Sequence, residues 1–373
     1  MIDMAREALS VHAVILAGGR GTRFWPRSRT KTPKQLLNIA GKGTMLEQTV
    51  ARFRSLVPAD RIWTVTNAQQ ESSLRKQLPA GSRKRVLVEP VGRNTAAAIA
   101  LAAFHIQKIA NGDALMAVLP ADHYIRDVAA YRKIVRTALD VAKKSGRMVV
   151  LGIPPTHPET GFGYIERMEP TIGADGTPVY PVRRFAEKPA LATAKEYVAS
   201  GNYQWNAGMF FWRVSTFLEA LQKHLPATYG SLEKLAVSIG SRNYAAQLGK
   251  IYPKLENISV DYAILERVTR QAMEPQVFVI PAQVGWSDIG SWAAVYELLA
   301  SSPAQNVFVG HGHALDAQGN YFSTNGKFVA AIGVKDLIVV ETPDALLVCP
   351  RERAQDVGKF VKWLEEQKLT NLL

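Results

Sequence analysis

The chain contains 373 residues, of which 47% are hydrophobic and 21% are charged, and this composition excludes wholesale disorder. Its 45 lysines and arginines against 32 acidic residues leave a net charge of +13, which favours anionic partners such as phosphates, nucleic acid or a membrane surface. The single cysteine, Cys349, excludes an intramolecular disulfide framework and nearly excludes a cysteine-based zinc site.

Targeting signals are not evident in the sequence. The longest apolar run, Ala96–Phe104, is far shorter than the roughly 18 residues that span a bilayer, and Met1–Ser10 lacks the apolar core of a signal peptide. We therefore expect a cytoplasmic protein that does not enter a membrane. At about 150 residues per domain, the length predicts two domains, or one large domain with an appendage.

The first half of the chain alternates short apolar runs with segments of helical period. Brevity, β-branched residues and flanking turn residues predict strands at His12–Leu16, Ile62–Thr66, Arg85–Glu89, Leu115–Leu119 and Met148–Ile153. Helices are predicted between them at Met45–Phe53, Ala68–Gln77, Asn94–Asn111 and Ala129–Ser145. This alternation predicts an α/β fold with a doubly wound, mostly parallel, Rossmann-like sheet, in which ligands bind beyond the carboxyl ends of the strands.

The second half mixes strands and helices before its pattern changes. Strands are predicted at Gly163–Arg167, Pro181–Phe185, Met209–Arg213 and Val277–Pro281, and helices at Ala190–Ser200, Ser215–His224 and Trp292–Ala300. Ser301-Ser302-Pro303 interrupts the pattern, so we divide the chain into residues 1–300, with halves at 1–150 and 151–300, and a small domain at residues 303–373. That small domain is predicted to be all-β, with strands at Asn306–Val309, Phe328–Ile332, Leu337–Glu341 and Ala345–Val348 and a closing helix at Arg353–Lys368.

A glycine-rich segment, Leu16-Ala17-Gly18-Gly19-Arg20-Gly21-Thr22-Arg23, directly follows the first predicted strand. Its three glycines allow a tight turn that presents bare backbone N–H groups to an anion. Six basic residues and no acidic residue lie between Arg20 and Lys34, which favours a phosphate site. The Rossmann fingerprint does not fit, because Phe24 stands at its third small residue, and a P-loop does not fit, because Gly43 follows Lys42. The alternative is a plain glycine turn beside a solvated basic stretch.

Two aspartates are candidate metal ligands. Asp122 ends the fourth predicted strand, and Asp288 lies between aromatic and glycine residues in Trp286–Trp292. Two carboxylates together with triphosphate oxygens suit Mg²⁺, which prefers hard oxygen ligands. The alternatives are a helix N-cap for Asp122 and a turn residue for Asp288.

Two further segments carry carboxylates at predicted strand ends. Glu89 precedes the alanine-rich helix that opens at Asn94, and its carboxylate can accept the ring and exocyclic N–H groups of guanine; Asn94 can instead simply cap that helix. Glu187 and Lys188 stand side by side, as a sugar phosphate requires, with the carboxylate for hydroxyls and the ammonium for the phosphate. The alternative for this pair is an exposed surface ion pair.

The following segments occur together and in this order: Val14–Arg23, Pro33-Lys34-Gln35, Glu89-Pro90, Gly92-Arg93-Asn94-Thr95, Leu119–His123, Gly161–Ile165, Phe185–Pro189, Trp205–Phe210, Ser259–Tyr262 and Gly285–Trp292. In these segments the chain resembles the sugar nucleotidyltransferases, and among them the GTP-dependent mannose-1-phosphate guanylyltransferases. Ala97 departs from the pattern, since relatives usually carry proline there. The resemblance implies transfer of GMP from GTP to mannose 1-phosphate, giving GDP-mannose and pyrophosphate.

The resemblance also implies roles for particular residues. The nucleotide is expected at Leu16, Ala17, Gly18, Gly19, Gly21, Thr22, Glu89, Asn94 and Thr95. The sugar phosphate is expected at Gly163, Glu187, Lys188, Asn206 and Asp261. Arg23 and Lys34 are the expected catalytic cations, and Asp122 and Asp288 are expected to hold Mg²⁺ or another divalent cation.

The expected partners are GTP and a sugar 1-phosphate, with a homodimer possible and no nucleic acid or membrane. Longer relatives carry a cupin-like mannose-6-phosphate isomerase domain, for which this sequence has no room, so we expect a transferase alone. Three alternatives stay open: another sugar 1-phosphate, such as a heptose 1-phosphate; a uridylyl- or thymidylyltransferase; or a catalytically inactive sugar-nucleotide-binding subunit.

Overall fold

The computed structural model describes residues 9–110, 112–172, 175–271 and 274–373. The strands are β1 Ser10–Leu16, β2 Ile62–Asn67, β3 Val86–Glu89, β4 Ala114–Pro120, β5 Tyr124–Ile125, β6 Met148–Ile153, β7 Gly163–Arg167, β8 Thr171–Ile172, β9 Pro178–Glu187, β10 Tyr203–Arg213, β11 Val277–Pro281, β12 Trp286–Ser287, β13 Val307–Leu315, β14 Tyr321–Ile332, β15 Leu337–Glu341 and β16 Leu346–Pro350. The helices are α1 Met45–Phe53, α2 Glu71–Gln77, α3 Ala80–Arg83, α4 Asn94–Ala110, α5 Val128–Ser145, α6 Leu191–Ser200, α7 Val214–His224, α8 Pro226–Val237, α9 Tyr244–Ile251, α10 Glu266–Gln271, α11 Trp292–Leu299 and α12 Val357–Glu366.

Parts of two expectations lie outside the described residues: most of Met1–Ser10, and Asn111 at the end of the predicted fourth helix. In the described ranges, no helix combines the length and the apolar character needed to cross a membrane.

The central sheet has the strand order β3-β2-β1-β4-β10-β6-β11-β9-β7. Strands β1 to β4 pair in parallel, as do β6 and β11, which confirms the predicted doubly wound α/β fold with a parallel core. Strand β10 runs antiparallel between β4 and β6. The antiparallel pair β7 and β9 precedes it in the chain and reverses the direction in which β10 enters, a feature that strand–helix alternation does not reveal.

Helices cover both faces of this sheet because successive strand residues point to opposite sides. In β1, Val14 joins the apolar cluster beneath α4, α7 and α8, whereas Ala13 and Ile15 join the cluster beneath α1 and α5. Helix α5 is amphipathic and well bounded: Asp127 accepts the Ala130 N–H at 2.9 Å at its start, and Gly146 ends it with a φ of 66°. The polar connections between these elements meet at the carboxyl ends of β1, β3 and β4.

The C-terminal β-rich domain confirms the predicted strands with an unexpected pairing. Strands β13, β14 and β15 are parallel neighbours and β16 is antiparallel to β15, so the chain coils between strands in the manner of a β-helix. Asn320, fully buried, ties successive coils together: it donates to Asn306 Oδ1 at 2.8 Å and to the Val334 carbonyl at 3.0 Å, and accepts the Leu337 N–H at 2.9 Å.

The closing helix starts later than the sequence indicates. Residues Arg351–Asp356 form 3-10 turns, and α12 begins at Val357 rather than at the predicted Arg353. Arg351 is tied to β15 through Asp336, which accepts from its backbone N–H at 2.7 Å and from its guanidinium at 2.6 Å, so this segment stays against the sheet before the helix departs. Helix α12 then packs on the turn Thr22–Phe24 of the glycine-rich segment.

Candidate active site

A cavity of about 550 Å³ opens at the carboxyl ends of β1, β3 and β4. Seven of the predicted nucleotide residues line it: Leu16, Ala17, Gly18, Gly19, Glu89, Asn94 and Thr95. Four of the predicted sugar-phosphate residues line the same space, namely Gly163, Glu187, Asn206 and Asp261, and Asp288 joins them. The volume suits a ligand of nucleotide-sugar size.

The glycine-rich segment is held by its carbonyl groups. Gln35 Nε2 donates to the carbonyls of Ala17 at 2.9 Å and Gly19 at 3.0 Å, and Gln70 Nε2 also donates to Gly19 at 3.2 Å. No acceptor in the described ranges of the chain meets the exposed backbone N–H groups of Gly18 and Gly19. The segment therefore offers free donors to an anion, as its glycine pattern predicts. The anchoring role of Gln35 and Gln70 was not anticipated, because only the three-dimensional path brings them beneath the segment.

A buried carboxyl closes one end of the cavity. Glu89 is 6% exposed, and its Oε1 accepts a hydrogen bond from Tyr252 Oη at 2.6 Å. Burial raises the pKa of Glu89 even though the Tyr252 hydroxyl stabilises the charged form. Gly18 lets this carboxylate approach closely, since an added Cβ would lie 3.3 Å from Glu89 Oε2.

The start of α4 forms the adjoining wall. Asn94 has a φ of 62°, and its Oδ1 accepts the N–H of Thr95 at 2.9 Å. Thr95 Oγ1 in turn accepts the Val260 N–H at 2.9 Å. The first turn of α4 is thus hydrogen-bonded to the segment that carries Asp261. This contact fixes the two ends of the cavity relative to each other.

The opposite end of the cavity gathers acidic side chains. Burial, reinforced by Asp261, raises the pKa of Glu187 to about 7 although Lys188 opposes the shift. The Oε2 atom of Glu187 is buried without a hydrogen-bond partner in the described part of the chain. Gly163 faces this oxygen so closely that a Cβ would collide with it. An unpartnered acceptor of this kind fits a ligand that brings hydroxyl donors.

Asn206 and Asp261 complete the acidic end. Asn206 Nδ2 donates to Asp261 Oδ1 at 2.9 Å, and its own Oδ1 accepts the Gly208 N–H at 2.9 Å. Burial raises the pKa of Asp261 despite this hydrogen bond. Lys188 stands outside the lining: its side chain is 58% exposed, with Nζ 3.6 Å from Glu187 Oε1 and a backbone φ of 47°.

Lys34, Asp122 and Asp288 meet at a corner beside the cavity. The Lys34 side chain is only 6% exposed, and its Nζ lies 2.9 Å from Asp122 Oδ2 and donates to the Asp288 carbonyl oxygen at 2.6 Å. Burial is the largest effect on Asp122 and disfavours its charged form, but Lys34, His123 and a backbone hydrogen bond together outweigh burial and hold the pKa of that carboxyl below its usual value. Burial raises the pKa of Asp288. The positive charge of Lys34 lowers this pKa, whereas the negative charge of Asp122 raises it further.

The donor set at this corner fits a divalent cation. Asp122 and Asp288 repel each other, and a cation between them would relieve that repulsion. In the described residues, no group of three or more His, Cys, Asp or Glu side chains is arranged so that it could hold a metal ion. Two carboxylates leave room for phosphate oxygens and water, which is the coordination that Mg²⁺ prefers.

Besides Lys34, Asp122 and Lys188, three further predicted residues lie away from the cavity lining. Gly21, with a φ of 62°, packs on Lys34 so tightly that a Cβ would lie 2.5 Å from the lysine Cβ. Thr22 begins the 3-10 turn that packs on α12, and Arg23 Nη1 donates to Gln355 Oε1 at 2.7 Å. The side chain of Arg23 therefore reaches the C-terminal domain, which local sequence does not indicate.

Two aromatic residues form a wall that the predicted site residues omit. Trp286 Nε1 donates to His123 Nδ1 at 3.1 Å, and Phe162 packs edge-on against Trp286 with ring centroids 5.6 Å apart. The hydrogen bond fixes the neutral tautomer of His123, whose Nε2 carries the proton, and burial lowers the pKa of this histidine to about 4. All three side chains line the cavity. The sequence signal that could have identified His123 is its position next to the predicted metal ligand Asp122.

Two family models match different parts of the chain. A family described as nucleotidyl transferase matches residues 12–304, and a MannoseP isomerase/GMP-like beta-helix domain matches residues 312–364. Mannose-1-phosphate guanylyltransferase RfbM of Salmonella typhimurium is 40% identical over 361 residues, which cover 96% of this chain and 73% of that protein. A mannose-1-phosphate guanylyltransferase of Escherichia coli K12 is 38% identical over 368 residues, 97% of this chain and 74% of that protein. A solved structure named mannose-1-phosphate geranyltransferase, from Thermus thermophilus, matches with a TM-score of 0.84 at 36% identity and covers 96% of this chain and 100% of its own.

Proposed function

The chain belongs to the nucleotidyl transferase family, alongside its mannose-1-phosphate guanylyltransferases, and on that premise we propose that it transfers GMP from GTP to α-D-mannose 1-phosphate. The products are GDP-mannose and pyrophosphate. The observation that carries the proposal is that one cavity joins the free N–H groups of Gly18 and Gly19 to the unpartnered acceptor of Glu187. In this proposal residues 1–150 hold the nucleotide and residues 151–300 the sugar phosphate.

The chemistry needs positioning more than acid–base catalysis. The second pKa of a phosphate monoester is near 6, so the sugar phosphate is already an anion at about pH 7 and needs no general base. One of its oxygens forms a bond to the α-phosphorus of GTP, and the bond from that phosphorus to the β-phosphate oxygen breaks, releasing pyrophosphate. The difficulty is the approach of two anions, which neutralisation and alignment must overcome.

The glycine-rich segment is the proposed cradle for the triphosphate. Backbone N–H groups from Gly18 to Thr22 donate to phosphate oxygens, with Gly18 and Gly19 in the cavity lining and Gly21 and Thr22 outside it. The hydrogen bonds from Gln35 to the carbonyl groups of the segment hold it in place. Glu89 accepts the N–H groups of guanine, supported by its close approach to Gly18 and its fixed hydrogen bond from Tyr252. Adenine does not offer the same pair of donors, so this contact selects GTP.

Positive charge is proposed to come from Arg23, Lys34 and a divalent cation held by Asp122 and Asp288. When bound, the cation neutralises phosphate charge and favours departure of pyrophosphate. Lys34 adds charge at the same corner, supported by its buried ammonium beside Asp122. Arg23 is proposed to add charge at the same corner, supported by its effect on Asp288, whose pKa it lowers against burial.

The sugar phosphate is proposed to lie at the acidic end of the cavity. Lys188 is assigned to the phosphate, supported by its ammonium, which lies 3.6 Å from Glu187 Oε1 at this end of the cavity. Glu187, Asn206, Asp261 and the Gly163 backbone hold the sugar hydroxyls. The unpartnered Oε2 of Glu187 supports this assignment, because hydroxyl donors would satisfy it.

A grid of substrates tests the proposal. Pyrophosphate release is measured with each of the four common NTPs against mannose, glucose and heptose 1-phosphates, with Mg²⁺ and with EDTA. We expect release with GTP and mannose 1-phosphate only in the presence of the cation. Asp122→Asn should abolish it, whereas Asp140→Asn, which breaks an exposed ion pair with Lys144, should not. Preference for another nucleotide or sugar, or full activity of Asp122→Asn, contradicts the proposal.

A further inference from the structure

The C-terminal domain packs against the residues that directly follow the cavity-lining part of the glycine-rich segment. Phe24 and Trp25 are 1% and 5% exposed, and both are buried in a cluster that includes Val357, Val361 and Leu364 of the C-terminal domain. Trp25 Nε1 also donates to the Leu372 carbonyl at 2.9 Å. The last residues of the chain thereby fix the position of a turn that begins only three residues after Gly19.

Two arginines of the segment extend from this anchored turn to the C-terminal domain. Arg20 Nη2 lies 2.5 Å from Glu365 Oε1, but both side chains are more than one-third exposed, so that ion pair contributes little. Arg23 instead donates to a neutral acceptor, Gln355 Oε1, at 2.7 Å. Both of these residues are exposed too, so this hydrogen bond acts on the orientation of the guanidinium rather than on stability. An amide oxygen orients a guanidinium and leaves its positive charge in place, whereas a carboxylate would orient it and also neutralise the charge.

The surroundings of Arg23 point its charge toward the phosphate corner. An added Cβ at Gly290 would lie 2.9 Å from Asp288 Oδ2 and 3.6 Å from Arg23 Nη1, so Gly290 leaves the space that these two groups share. On the other side, Gly358 packs on the stem of Arg23, where an added Cβ would lie 3.6 Å from its Cγ. The guanidinium thus sits between the C-terminal domain and Asp288.

We propose that the C-terminal domain completes the active site within the same chain, with Gln355 as a positioning residue that aims the Arg23 guanidinium at the phosphate corner without itself cancelling the charge. The inference rests on the proposed function, in which Arg23 stabilises charge on the reacting phosphates. It assigns the C-terminal domain a part in turnover as well as in stability. It also explains why Arg23 does not line the cavity although its guanidinium adjoins Asp288: the C-terminal domain packs on the stem of its side chain.

Variants of the full-length chain separate positioning from charge. Gln355→Ala removes the acceptor, and Gln355→Glu keeps an acceptor but pairs it with Arg23. We expect kcat to fall about fivefold for the first and about tenfold or more for the second, with KM for mannose 1-phosphate within about twofold. The melting temperature should be unchanged or higher for Gln355→Glu, because the ion pair holds the turn at least as well. Glu352→Ala, an exposed neighbour on the same 3-10 segment, is the matched control and should match the parent chain.

A double-mutant cycle with Arg23→Ala decides whether Gln355 acts through Arg23. We expect neither Gln355 substitution to lower kcat further once Arg23 is alanine. Unchanged kcat in both Gln355 variants, or equal losses with and without Arg23, overturns the inference and leaves the proposed reaction standing. Unchanged kcat in Arg23→Ala alone overturns both the inference and the role of Arg23, while the substrate grid still reports on the reaction itself.

Discussion

Replacing Glu187 by glutamine should make the protein more stable at alkaline pH and less active. Burial and the neighbouring Asp261 raise the pKa of Glu187 to about 7 from 4.5, and its side chain is 11% exposed. The folded state therefore binds this proton more tightly than the unfolded state, so the free energy of unfolding falls as pH rises from about 4.5 to 7. From the two pKa values, the ionised group costs about 3 kcal/mol of stability at about pH 8 and about 1 kcal/mol near pH 5.

Urea unfolding of the parent chain and Glu187→Gln at the two pH values measures this cost. We expect the variant to gain stability at the higher pH, and the gain to shrink by about 2 kcal/mol at the lower pH. Activity should move the other way: kcat/KM for mannose 1-phosphate should fall about tenfold, because a sugar hydroxyl loses a charged acceptor. Glu196→Gln, on the exposed side of α6, is the control. Equal pH dependence of stability in parent and variant would refute the reasoning.

Three further predictions concern other parts of the molecule. Gly163→Ala should raise KM for the sugar phosphate about tenfold, since the new Cβ displaces Glu187; unchanged steady-state kinetics would contradict this. Tyr252→Phe removes the hydrogen bond to Glu89 and should lower kcat/KM for GTP more than for ATP, and equal losses in a two-nucleotide assay would count against guanine reading at Glu89. Burial lowers the pKa of His12 to about 4, so the folded chain should lose about 1.4 kcal/mol of stability between about pH 8 and 5.5. His12→Gln should lack this loss in urea or thermal unfolding, and the same pH dependence of stability in the variant and the parent chain would contradict the prediction.

Local signals predicted most of the secondary structure. Helix α1 runs over Met45–Phe53, as predicted, because Thr44 and Glu47 form a capping box that defines its start. The strands that flank the cavity were equally clear, since short β-branched runs between turn residues have few alternatives. The antiparallel entry of β10 was not predictable, because it depends on the long-range pairing of β7 with β9.

The same distinction separates the site residues. Gly18 and Gly19 were recognisable because a backbone that approaches a ligand closely requires glycine, and consecutive glycines are visible in the sequence. The direction of Arg23 was not, since its partner Gln355 is 332 residues away. Tyr252 was also missed, because nothing near it in the sequence shows that Glu89 lies within reach. The roles of these residues, the domain boundaries, the cytoplasmic location and a homodimer stay predictions.

A crystal structure with a non-hydrolysable GTP analogue, mannose 1-phosphate and Mg²⁺ tests the central claim most directly. The account predicts guanine against Glu89, phosphate oxygens on the N–H groups of Gly18 and Gly19, the metal between Asp122 and Asp288, and mannose hydroxyls on Glu187. Nucleotide density outside the cavity that these residues share would contradict the account.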